Sequence, residues 1–372
     1  MKKVLFVATV VKLHIMVFHI PYLEWFKKNG YEVHVAARND YENKKECSIP
    51  FCDKFFDLPF ERSPLKKNNI YVQRELKKII DINKYEIIHC HTPMGGALTR
   101  IAAREARKNG TRVIYTAHGF HFYTGAPLIN WLLYYPVERW LARYVDVLIT
   151  INKEDYERAK SFKAKKLEYV PGVGIETGKF QNIDIDREEK RKSIGLINDD
   201  FMIISVGELN KNKNHQVVIE AIAKLKNDNV KYVLCGQGPL ENELKKLAHE
   251  LKIEQQIKFL GFRKDIPELM NVADLFAFPS FREGLSLSLM EAMTSGLPVI
   301  CSEIRGNVDL IEEGKGGFLI QSTNIFDISE KINKFYRDKN LRDLYASYNK
   351  HLINKFSIEN VINEMAKIYE ER

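Results

Sequence analysis

The chain has 372 residues, of which 45% are hydrophobic and 28% charged, a composition typical of folded globular proteins that excludes a disordered or fibrous chain. Its length predicts two domains, and no apolar run reaches the roughly 18 residues that a membrane-spanning helix needs. The five cysteines show neither zinc-ligand spacing nor a paired framework, which predicts a cytoplasmic protein with reduced thiols.

Short apolar segments alternate with helix-length amphipathic segments along the whole chain. The first apolar run imitates a signal peptide, but Lys12 and His14 interrupt it, so we interpret it as a buried strand. The predicted strands are Val4–Thr9, Tyr31–Ala36, Ile87–Cys90, Arg112–Thr116, Asp146–Thr150, Leu167–Val170, Met202–Val206, Tyr232–Cys235, Ile257–Leu260, Leu275–Phe278 and Val299–Cys301. The predicted helices are His14–Asn29, Gly95–Asn109, Leu128–Tyr144, Lys153–Phe162, Asn214–Lys226, Leu240–Leu251, Ile266–Asn271, Leu287–Ser295, Val308–Glu313 and a charged helical region over 325–372. This alternation predicts parallel sheets covered by helices on both faces.

A Gly/Pro-rich stretch at 171–178, followed by the charged segment 184–192, predicts the join between the domains. We expect a first domain over residues 1–175 and a second over 176–355, with a C-terminal helix at about 356–372 packing back on the first. Both halves have the pattern of doubly wound α/β domains, and a ligand is expected in a cleft between them.

The charge is uneven along the chain. Residues 1–180 hold 30 Lys and Arg against 19 Asp and Glu, whereas the remainder holds 27 against 30. Nucleic acid, an anionic membrane face or a diphosphate-bearing substrate would each fit a basic first half, as would an ordinary lysine-rich surface. The aromatic stretch 120–144, with Arg139 and Arg143, is typical of an interfacial membrane contact or of a core or interdomain helix. Since no nucleic-acid-binding module is recognisable, no nucleic acid partner is expected.

Two glutamates of the second half stand eight residues apart, with a glycine turn and a helix start between them. Glu283 follows the predicted strand Leu275–Phe278, Gly284 supplies the turn, and Glu291 lies in the helix. Ligands of parallel α/β sheets sit at the carboxyl ends of strands, against helix N-termini whose N–H groups suit phosphate. A helical carboxylate there can accept from ribose hydroxyls, and one in the loop can reach beyond the phosphates. Two unrelated surface acids would give the same pattern.

Three further loops of the second half follow predicted strands. In the first, Gly207 allows close approach to a phosphate and Lys213 can neutralise a diphosphate oxygen. The second contains Gly236 and Gly238, a G-x-G that is equally compatible with a structural turn. The third carries Arg263, within reach of a base or phosphate. All three are expected at the same sheet edge as the glutamate pair.

Histidines follow two predicted strands of the first half. His118, beside a glycine, is placed to hydrogen-bond a sugar hydroxyl or to shuttle a proton. His89 and His91 flank Cys90, and one of the two is expected to face the core. No metal site is expected, because these histidines have neither an i, i+4 pair nor an acidic partner.

Taken in order, these motifs resemble the retaining family-4 glycosyltransferases with the GT-B fold, in which two facing Rossmann-like, doubly wound parallel-sheet domains border an interdomain cleft. The resemblance covers nearly the whole chain and is strongest at 207–214, 235–240, 261–266 and 273–309. Segments 88–93, 116–125 and 170–176 look like the branch that builds bacterial surface polysaccharides such as capsule, exopolysaccharide or O-antigen.

The resemblance implies a role for each candidate residue. Glu291 would bind the nucleotide ribose, Glu283 the donor sugar and Lys213 the diphosphate, while His118 would sit at the sugar hydroxyl and the reaction centre. The remaining donor contacts would come from Gly207, Gly236, Gly238, Arg263 and the backbone of Gly284, Leu285, Ser286 and Leu287.

Two features depart from the family. Glu208 stands where many relatives carry an arginine for the diphosphate, which leaves that duty to Lys213, Lys211 or another base. The loop Thr9–Ile15 lacks the glycine pair of many relatives, so its contact with donor or acceptor is open.

The implied reaction moves a sugar from a nucleoside diphosphate, with UDP expected, to a hydroxyl of a glycan or polyprenyl-diphosphate-linked acceptor. Anomeric configuration is retained, and neither a cofactor nor a metal ion takes part. The basic first half would hold the acceptor, in peripheral contact with the anionic inner face of the plasma membrane. A sugar-nucleotide epimerase of the same build and a non-catalytic nucleotide-sugar-binding protein remain as alternatives.

Overall fold

The computed structural model describes residues 1–181 and 183–371. The chain divides into two compact units, one formed by Met1–Val173 with Val361–Arg372 and the other by Gly174–Asn360. Each unit is built around one sheet, and every strand pair among the described residues is parallel. The predicted parallel sheets are therefore confirmed.

Seven strands form the sheet of the first unit, in the order β3-β2-β1-β4-β5-β6-β7. Their bounds are β1 Lys3–Val10, β2 Glu32–Arg38, β3 Lys54–Asp57, β4 Ile87–His91, β5 Arg112–Ala117, β6 Val147–Thr150 and β7 Lys166–Tyr169. Six strands form the other sheet, in the order β10-β9-β8-β11-β12-β13. Their bounds are β8 Phe201–Val206, β9 Val230–Cys235, β10 Ile257–Gly261, β11 Leu275–Phe278, β12 Val299–Ser302 and β13 Gly317–Ile320.

Successive residues of each central strand enter different apolar clusters. In β1, Leu5 and Val7 belong to one cluster, whereas Val4 and Phe6 belong to another. Side chains of a strand alternate between the two faces of its sheet, so each face has its own core. Because both faces are covered, the strands are continuously apolar, which is why the sequence revealed them.

Helices connect the strands of both units. They are α1 Met16–Phe18, α2 Ile20–Lys28, α3 Asn68–Asn83, α4 Pro93–Ala102, α5 Arg104–Lys108, α6 Leu128–Leu141, α7 Lys153–Ala159, α8 Arg187–Ser193, α9 His215–Leu225, α10 Glu241–Glu250, α11 Ile266–Asn271, α12 Leu287–Thr294, α13 Asn307–Leu310, α14 Ile325–Arg337, α15 Lys339–Leu352 and α16 Ile358–Glu370. The end of α16 packs on the first unit, where the hydroxyl of Tyr369 lies 2.8 Å from Nδ1 of His89.

Several predicted elements differ from the structure. All predicted strands are present, but the short strands β3 and β13, both at sheet edges, were missed. The predicted continuous helix His14–Asn29 is wrong: a single π-turn at Val11–Ile15 precedes α1, and α2 begins anew with Pro21 in its first turn. Proline favours this position because it has no N–H to donate to a preceding turn.

The charged segment 184–192, which follows the predicted join and for which no helix was predicted, contains most of α8. Asp186 accepts a hydrogen bond from the backbone N–H of Glu189 at 2.9 Å and so caps the start of α8. Inside the helix, Arg191 is fully buried and donates to Asp274 at 2.6 Å, which anchors α8 beside β11. The high charge of this segment therefore reflects a capped and anchored helix.

Each sheet has one point at which the strand order reverses, between β1 and β4 in the first unit and between β8 and β11 in the second. Helices on either side of such a point diverge and leave a crevice at the carboxyl ends of the strands, where doubly wound proteins bind their ligands. His14, Lys213 and Glu283 lie in the segments that follow β1, β8 and β11, and His91 is the last residue of β4. Topology thus selects two clusters of candidate residues, one in each unit.

Candidate functional site

Backbone hydrogen bonds join the three loops that follow β8, β9 and β10. The N–H of Gly207 donates to the carbonyl of Cys235 at 3.0 Å, and the N–H of Gly236 donates to the carbonyl of Gly261 at 2.8 Å. A third bond runs from the N–H of Leu209 to the carbonyl oxygen of the second loop's Gln237 at 3.0 Å. The three loops predicted at one sheet edge are therefore brought together there.

Glycine is required where these loops touch. A Cβ at Gly236 would lie 1.9 Å from the carbonyl oxygen of Gly207, and one at Gly238 would lie 2.4 Å from the carbonyl oxygen of Leu209. Both distances are far inside van der Waals contact and involve backbone that cannot swing aside. The visible role of the G-x-G is close packing of loop on loop, and a direct contact with a nucleotide remains a prediction.

Lys213 and Glu283 form an ion pair at the switch point of the second sheet. Nζ of Lys213 lies 2.8 Å from Oε1 of Glu283, and the two side chains are 19% and 13% exposed. The ammonium group also lies 4.6 Å from the ring centre of Phe278, the last residue of β11. A second link, from the N–H of Phe281 to the carbonyl of Asn212 at 2.8 Å, holds the two loops together. The structure thus joins two residues that are 70 positions apart in the sequence.

The start of α12 adjoins this pair. Ser286 caps the helix by accepting from the N–H of Leu289 at 3.5 Å. The first N–H groups of a helix have no partner within it, and the helix dipole makes this end attractive to anions. The predicted donor contacts from Gly284 to Leu287 lie in this turn, and Glu283 directly precedes them.

The loop after β12 supports the same turn and was not predicted as part of the site. Arg305 donates from Nε to the carbonyl of Glu283 at 3.3 Å. A Cβ at Gly306 would lie 1.5 Å from the carbonyl oxygen of Gly284, so only glycine fits there. The sequence does contain a signal for this loop, because an arginine–glycine pair follows the buried strand β12, just as the other glycine loops follow β8, β9 and β10.

Glu291 lies in α12, one turn from its start. Burial raises the pKa of its carboxyl group from 4.5 to about 7. Desolvation disfavours the charged form, whereas hydroxyl groups that donate to a carboxylate favour it. A ligand with two adjacent hydroxyls could donate hydrogen bonds to this carboxyl group and so favour its charged form.

Arg263 is engaged in an ion pair within its own loop. Its Nε and Nη2 lie 2.8 and 2.6 Å from the two carboxylate oxygens of Asp265, and this fork lowers the pKa of Asp265. Lys190 binds the same carboxylate at 2.6 Å. The guanidinium of Arg263 lies at the predicted sheet edge but is held by this ion pair, and its contact with a base or phosphate remains a prediction.

Four histidines form the cluster at the switch point of the first unit. His14 follows β1, His19 lies between α1 and α2, His91 ends β4 and His118 follows β5. One ring nitrogen from each lies within 4.8 Å of the corresponding atom of the other three. The rings of His19 and His91 stack with centres 3.8 Å apart, and Nδ1 of His91 lies 3.3 Å from Nε2 of His118.

Burial keeps this cluster uncharged. It lowers the pKa of His118 to about 4, and desolvation together with the neighbouring imidazoles lowers the pKa values of His14, His19 and His91 well below 6.5. A neutral His118 can accept a proton or a hydrogen bond, as its predicted role requires. Neither His14 nor His19 was predicted as a site residue, because both lie in a segment with the pattern of an ordinary amphipathic helix.

His89 has a structural role. Its two ring nitrogens lie 2.8 Å from the hydroxyls of Tyr369 and Thr116, and the residue is fully buried. His91 is equally buried, but its ring faces the histidine cluster. The expectation that one residue of this pair faces the core is therefore confirmed for His89.

The aromatic stretch 120–144 divides into a buried part and an exposed part. Phe120 and Phe122 are buried, whereas α6 carries apolar side chains on its surface, with Leu128 81% exposed and Leu132 72% exposed. The other large apolar side chains exposed along α6 are Ile129, Leu133, Tyr134, Val137 and Trp140. An exposed apolar patch of this kind usually marks an interaction surface. Within residues 1–181 and 183–371, no helix combines the length and hydropathy needed to cross a bilayer.

Comparison with known proteins assigns both units to related families. Residues 186–352 match the family described as glycosyl transferases group 1, and residues 3–152 match the family described as glycosyl transferase 4-like. EpsD of Bacillus subtilis (strain 168), a glycosyltransferase by name, is 42% identical over 99% of this chain and 96% of its own length. The UDP-Gal:alpha-D-GlcNAc-diphosphoundecaprenol alpha-1,3-galactosyltransferase of Escherichia coli is 29% identical over 82% of each chain.

A solved structure has the same fold. Alr3699/HepE of Anabaena, crystallised with UDP and glucose, superposes with a TM-score of 0.81 at 21% identity, over 99% of each chain. Identity at this level is informative about the fold alone. The predicted fold class, an α/β protein of GT-B type with two Rossmann-like parallel sheets, is confirmed.

Proposed function

The chain belongs to the group 1 family of glycosyl transferases, and from this premise we propose that it transfers a sugar from a UDP-sugar to an acceptor hydroxyl in cell-surface polysaccharide synthesis. The acceptor is a glycan or a polyprenyl-diphosphate-linked sugar. Support for both substrates comes from the Escherichia coli relative, whose name contains UDP-Gal and diphosphoundecaprenol. The transfer retains the anomeric configuration and requires no metal cofactor, as the family resemblance implies.

The observation that carries this proposal is the Lys213–Glu283 pair beside the start of α12. Negative charge develops on the diphosphate as the bond to the sugar breaks. An ammonium group and the first N–H groups of α12 are the kind of fixed donors that stabilise such charge. Glu283 holds the ammonium group of Lys213 beside this helix start before the diphosphate arrives.

Glu283 and Glu291 then contact the other two parts of the donor, the sugar and the ribose. A diphosphate that binds Lys213 competes with Glu283 for the ammonium group, which leaves the carboxylate of Glu283 available to sugar hydroxyls. Glu291, one turn further into the helix, accepts from the ribose hydroxyls. His118, neutral at pH 7, hydrogen-bonds a hydroxyl of the donor sugar near the reaction centre.

The anomeric configuration can be retained without a carboxylate nucleophile, because the departing diphosphate can itself act as the base on the face that the acceptor attacks. Retaining hydrolases place two carboxyl groups about 5 Å apart, one as nucleophile and one as acid and base. Before the donor binds, Glu283 pairs with Lys213 and not with a second carboxyl group. The acceptor attacks from the face that the diphosphate leaves, and a diphosphate oxygen takes the acceptor's proton.

Arg305 is our candidate for the diphosphate contact that Glu208 cannot make. It is nearly buried and holds the turn between Glu283 and α12 through the carbonyl of Glu283. Lys211, the other base in the loop after β8, is exposed to solvent. Replacing Arg305 by Gln should weaken UDP binding, whereas Lys211→Gln should leave it within about twofold, as expected for an exposed lysine.

The test uses the purified full-length chain with a panel of UDP-, GDP- and ADP-sugars. We expect UDP-sugars to raise the thermal unfolding temperature and Lys213→Ala to abolish most of this shift, with Lys211→Ala as the matched control. Product formation is then followed with and without a lipid-linked acceptor. Conversion of donor without acceptor would identify an epimerase, and binding without any turnover would identify a binding protein. Stabilisation by none of the nucleotides would contradict the proposal.

We further propose that the exposed face of α6 rests on the anionic inner face of the membrane, where lipid-linked acceptors are found. Its apolar side chains project to solvent, and Arg139 and Arg143 nearby are exposed. Leu132→Ser should reduce sedimentation with vesicles containing anionic lipid at low salt. Leu344→Ser, which alters a 64% exposed leucine on α15 of the second unit, is the matched control. Equal vesicle binding by both variants would contradict the assignment of α6.

A further inference from the structure

The histidine cluster of the first unit has more ring nitrogens than its surroundings satisfy. Both nitrogens of His19 and the Nε2 atoms of His14 and His91 are buried and form no hydrogen bond with the described protein groups. His19 is 1% exposed, so these atoms are closed off from bulk solvent. Buried polar atoms normally have partners, and unpartnered nitrogens on three neighbouring imidazole rings indicate that a ligand belongs there.

The arrangement matches the coordination of a tetrahedral metal ion. Zinc–nitrogen bonds of about 2.0–2.1 Å place neighbouring ligand nitrogens about 3.3 Å apart in a tetrahedron. The distance between Nδ1 of His91 and Nε2 of His118 is 3.3 Å. One ring nitrogen from each of His14, His19, His91 and His118 lies within 4.8 Å of the other three, so small rotations of these side chains would bring the four to tetrahedral spacing.

The site also has the size and chemistry of an ion site. A cavity of about 10 Å³, room for one water-sized ligand, borders His19, His91 and His118. His14 does not line this cavity, but the centre of its ring lies 4.9 Å from the ring centres of both His19 and His118. Uncharged imidazoles offer a lone pair each, and nitrogen ligands favour zinc and its transition-metal neighbours over magnesium or calcium, which prefer oxygen. His118 is only partly buried and provides a route from solvent.

We propose that His14, His19, His91 and His118 bind one divalent transition-metal ion of the Zn²⁺ class. The expectation of no metal site rested on local spacing, but the fold adds His14 and His19 to the two histidines that end neighbouring strands. The ion is not a cofactor of the transfer. A bound ion would fix the ring of His118, which is also the proposed contact with the donor sugar, so bound metal inhibits the enzyme; this consequence, unlike metal binding itself, rests on the proposed function.

Metal binding is tested on the full-length chain without a polyhistidine tag. Titration with Co²⁺ should give the intense visible absorption of tetrahedral cobalt, saturating at one equivalent and bleached by Zn²⁺ but not by Mg²⁺. His19→Gln removes a ligand whose nitrogens have no protein partner, so the fold should survive, as circular dichroism will verify. Its Co²⁺ affinity should fall by more than about 100-fold, because even an outer-shell partner contributes 10–100-fold.

Two further variants separate this site from adventitious binding. His14→Asn should lose Co²⁺ binding as His19→Gln does. If His19→Gln failed to fold, His14→Asn would serve as the test variant. His249→Gln alters an exposed histidine on α10 of the other unit and should bind Co²⁺ like the unaltered protein. Absence of the tetrahedral spectrum, its persistence in both cluster variants, or its loss in His249→Gln would overturn the metal site.

The inhibitory consequence has its own readout. Micromolar Zn²⁺ should suppress sugar transfer by the unaltered protein, and a chelator should restore it. His19→Gln, which leaves His118 in place, should keep its turnover in the same Zn²⁺ concentration. Tetrahedral Co²⁺ binding without any effect of Zn²⁺ on turnover would support the metal site and refute the role of His118 at the donor sugar.

Discussion

Nucleotide binding should depend on pH through Glu291. Burial raises the pKa of its carboxyl group to about 7 in the unliganded protein, whereas donation from ribose hydroxyls would favour the carboxylate. UDP must therefore displace a proton to bind below pH 7. The affinity is fully present above pH 7 and is lost as the pH falls through 7. A pKa of about 7 makes the apparent Kd at pH 6 about tenfold weaker than at pH 8, or about 1.4 kcal/mol.

Isothermal titration calorimetry measures this linkage directly. At pH 6, titrations in buffers of different ionisation enthalpy should show release of about 0.9 proton from Glu291 per UDP bound. Glutamine has the same size as glutamate and does not titrate. The Kd of Glu291→Gln for UDP should therefore not show the tenfold difference between pH 6 and pH 8. The phosphates of UDP titrate equally in both proteins and cancel in the comparison. Glu250→Gln, at an exposed site on α10, is the control that should retain the pH dependence.

The same carboxyl group makes an opposite contribution to stability. Its pKa in the fold, about 7, exceeds the unfolded value of 4.5, so the folded state holds the extra proton between these pH values. The contribution of this carboxyl group to stability is therefore greatest below pH 4.5 and is lost as the pH rises from 4.5 through 7, by about 3 kcal/mol in total relative to Glu291→Gln. Urea denaturation of both proteins at pH 5 and pH 8 should give most of this difference, about 2.5 kcal/mol. Identical pH dependence of UDP binding and of stability in the two proteins would refute the reasoning.

Two further predictions concern packing. Gly236→Ala places a Cβ 1.9 Å from a carbonyl oxygen, so we expect a loss of roughly 1–3 kcal/mol in urea denaturation and of UDP binding, whereas Gly178→Ala, in open space, should be neutral. Glu138→Gln removes the charged partner of the fully buried Arg100 and should cost about 3–5 kcal/mol, while Glu105→Gln, in a surface pair, should change stability by less than about 1 kcal/mol. A neutral Gly236→Ala or Glu138→Gln would show that these contacts relax without cost.

The fold was largely readable from the sequence because both faces of each sheet are covered. Strands buried on two sides are continuously apolar, so Leu275–Phe278 is recognisable without its neighbours. The strands that escaped prediction are four-residue edge strands. Lys54–Asp57 has no buried position, whereas Gly317–Ile320 has three but begins with a glycine, a residue depleted in strands. The break in the first helix depends on Pro21 and on local backbone geometry that periodicity does not report.

The candidate site was readable only in part. Glu283, Glu291 and Lys213 were recognisable because each comes after a strand and close in sequence to a glycine turn, a local pattern. Arg305 was not, since its contact with the Glu283 carbonyl joins two loops that are 22 residues apart. The roles of Gly236 and Arg263 also needed the structure, which shows a backbone contact for one and an ion pair for the other.

The sequence by itself determined the alternation of strands and helices, the two-domain organisation and the residues that follow each strand, because these depend on local apolar patterning and turn chemistry. Tertiary structure alone decided which of those residues meet. Strand order brings Lys213 to Glu283, and it gathers His14, His19, His91 and His118 from three strand ends. The physical reason is that parallel strands carry their loops to one edge of the sheet, but the order of the strands decides which loops are neighbours.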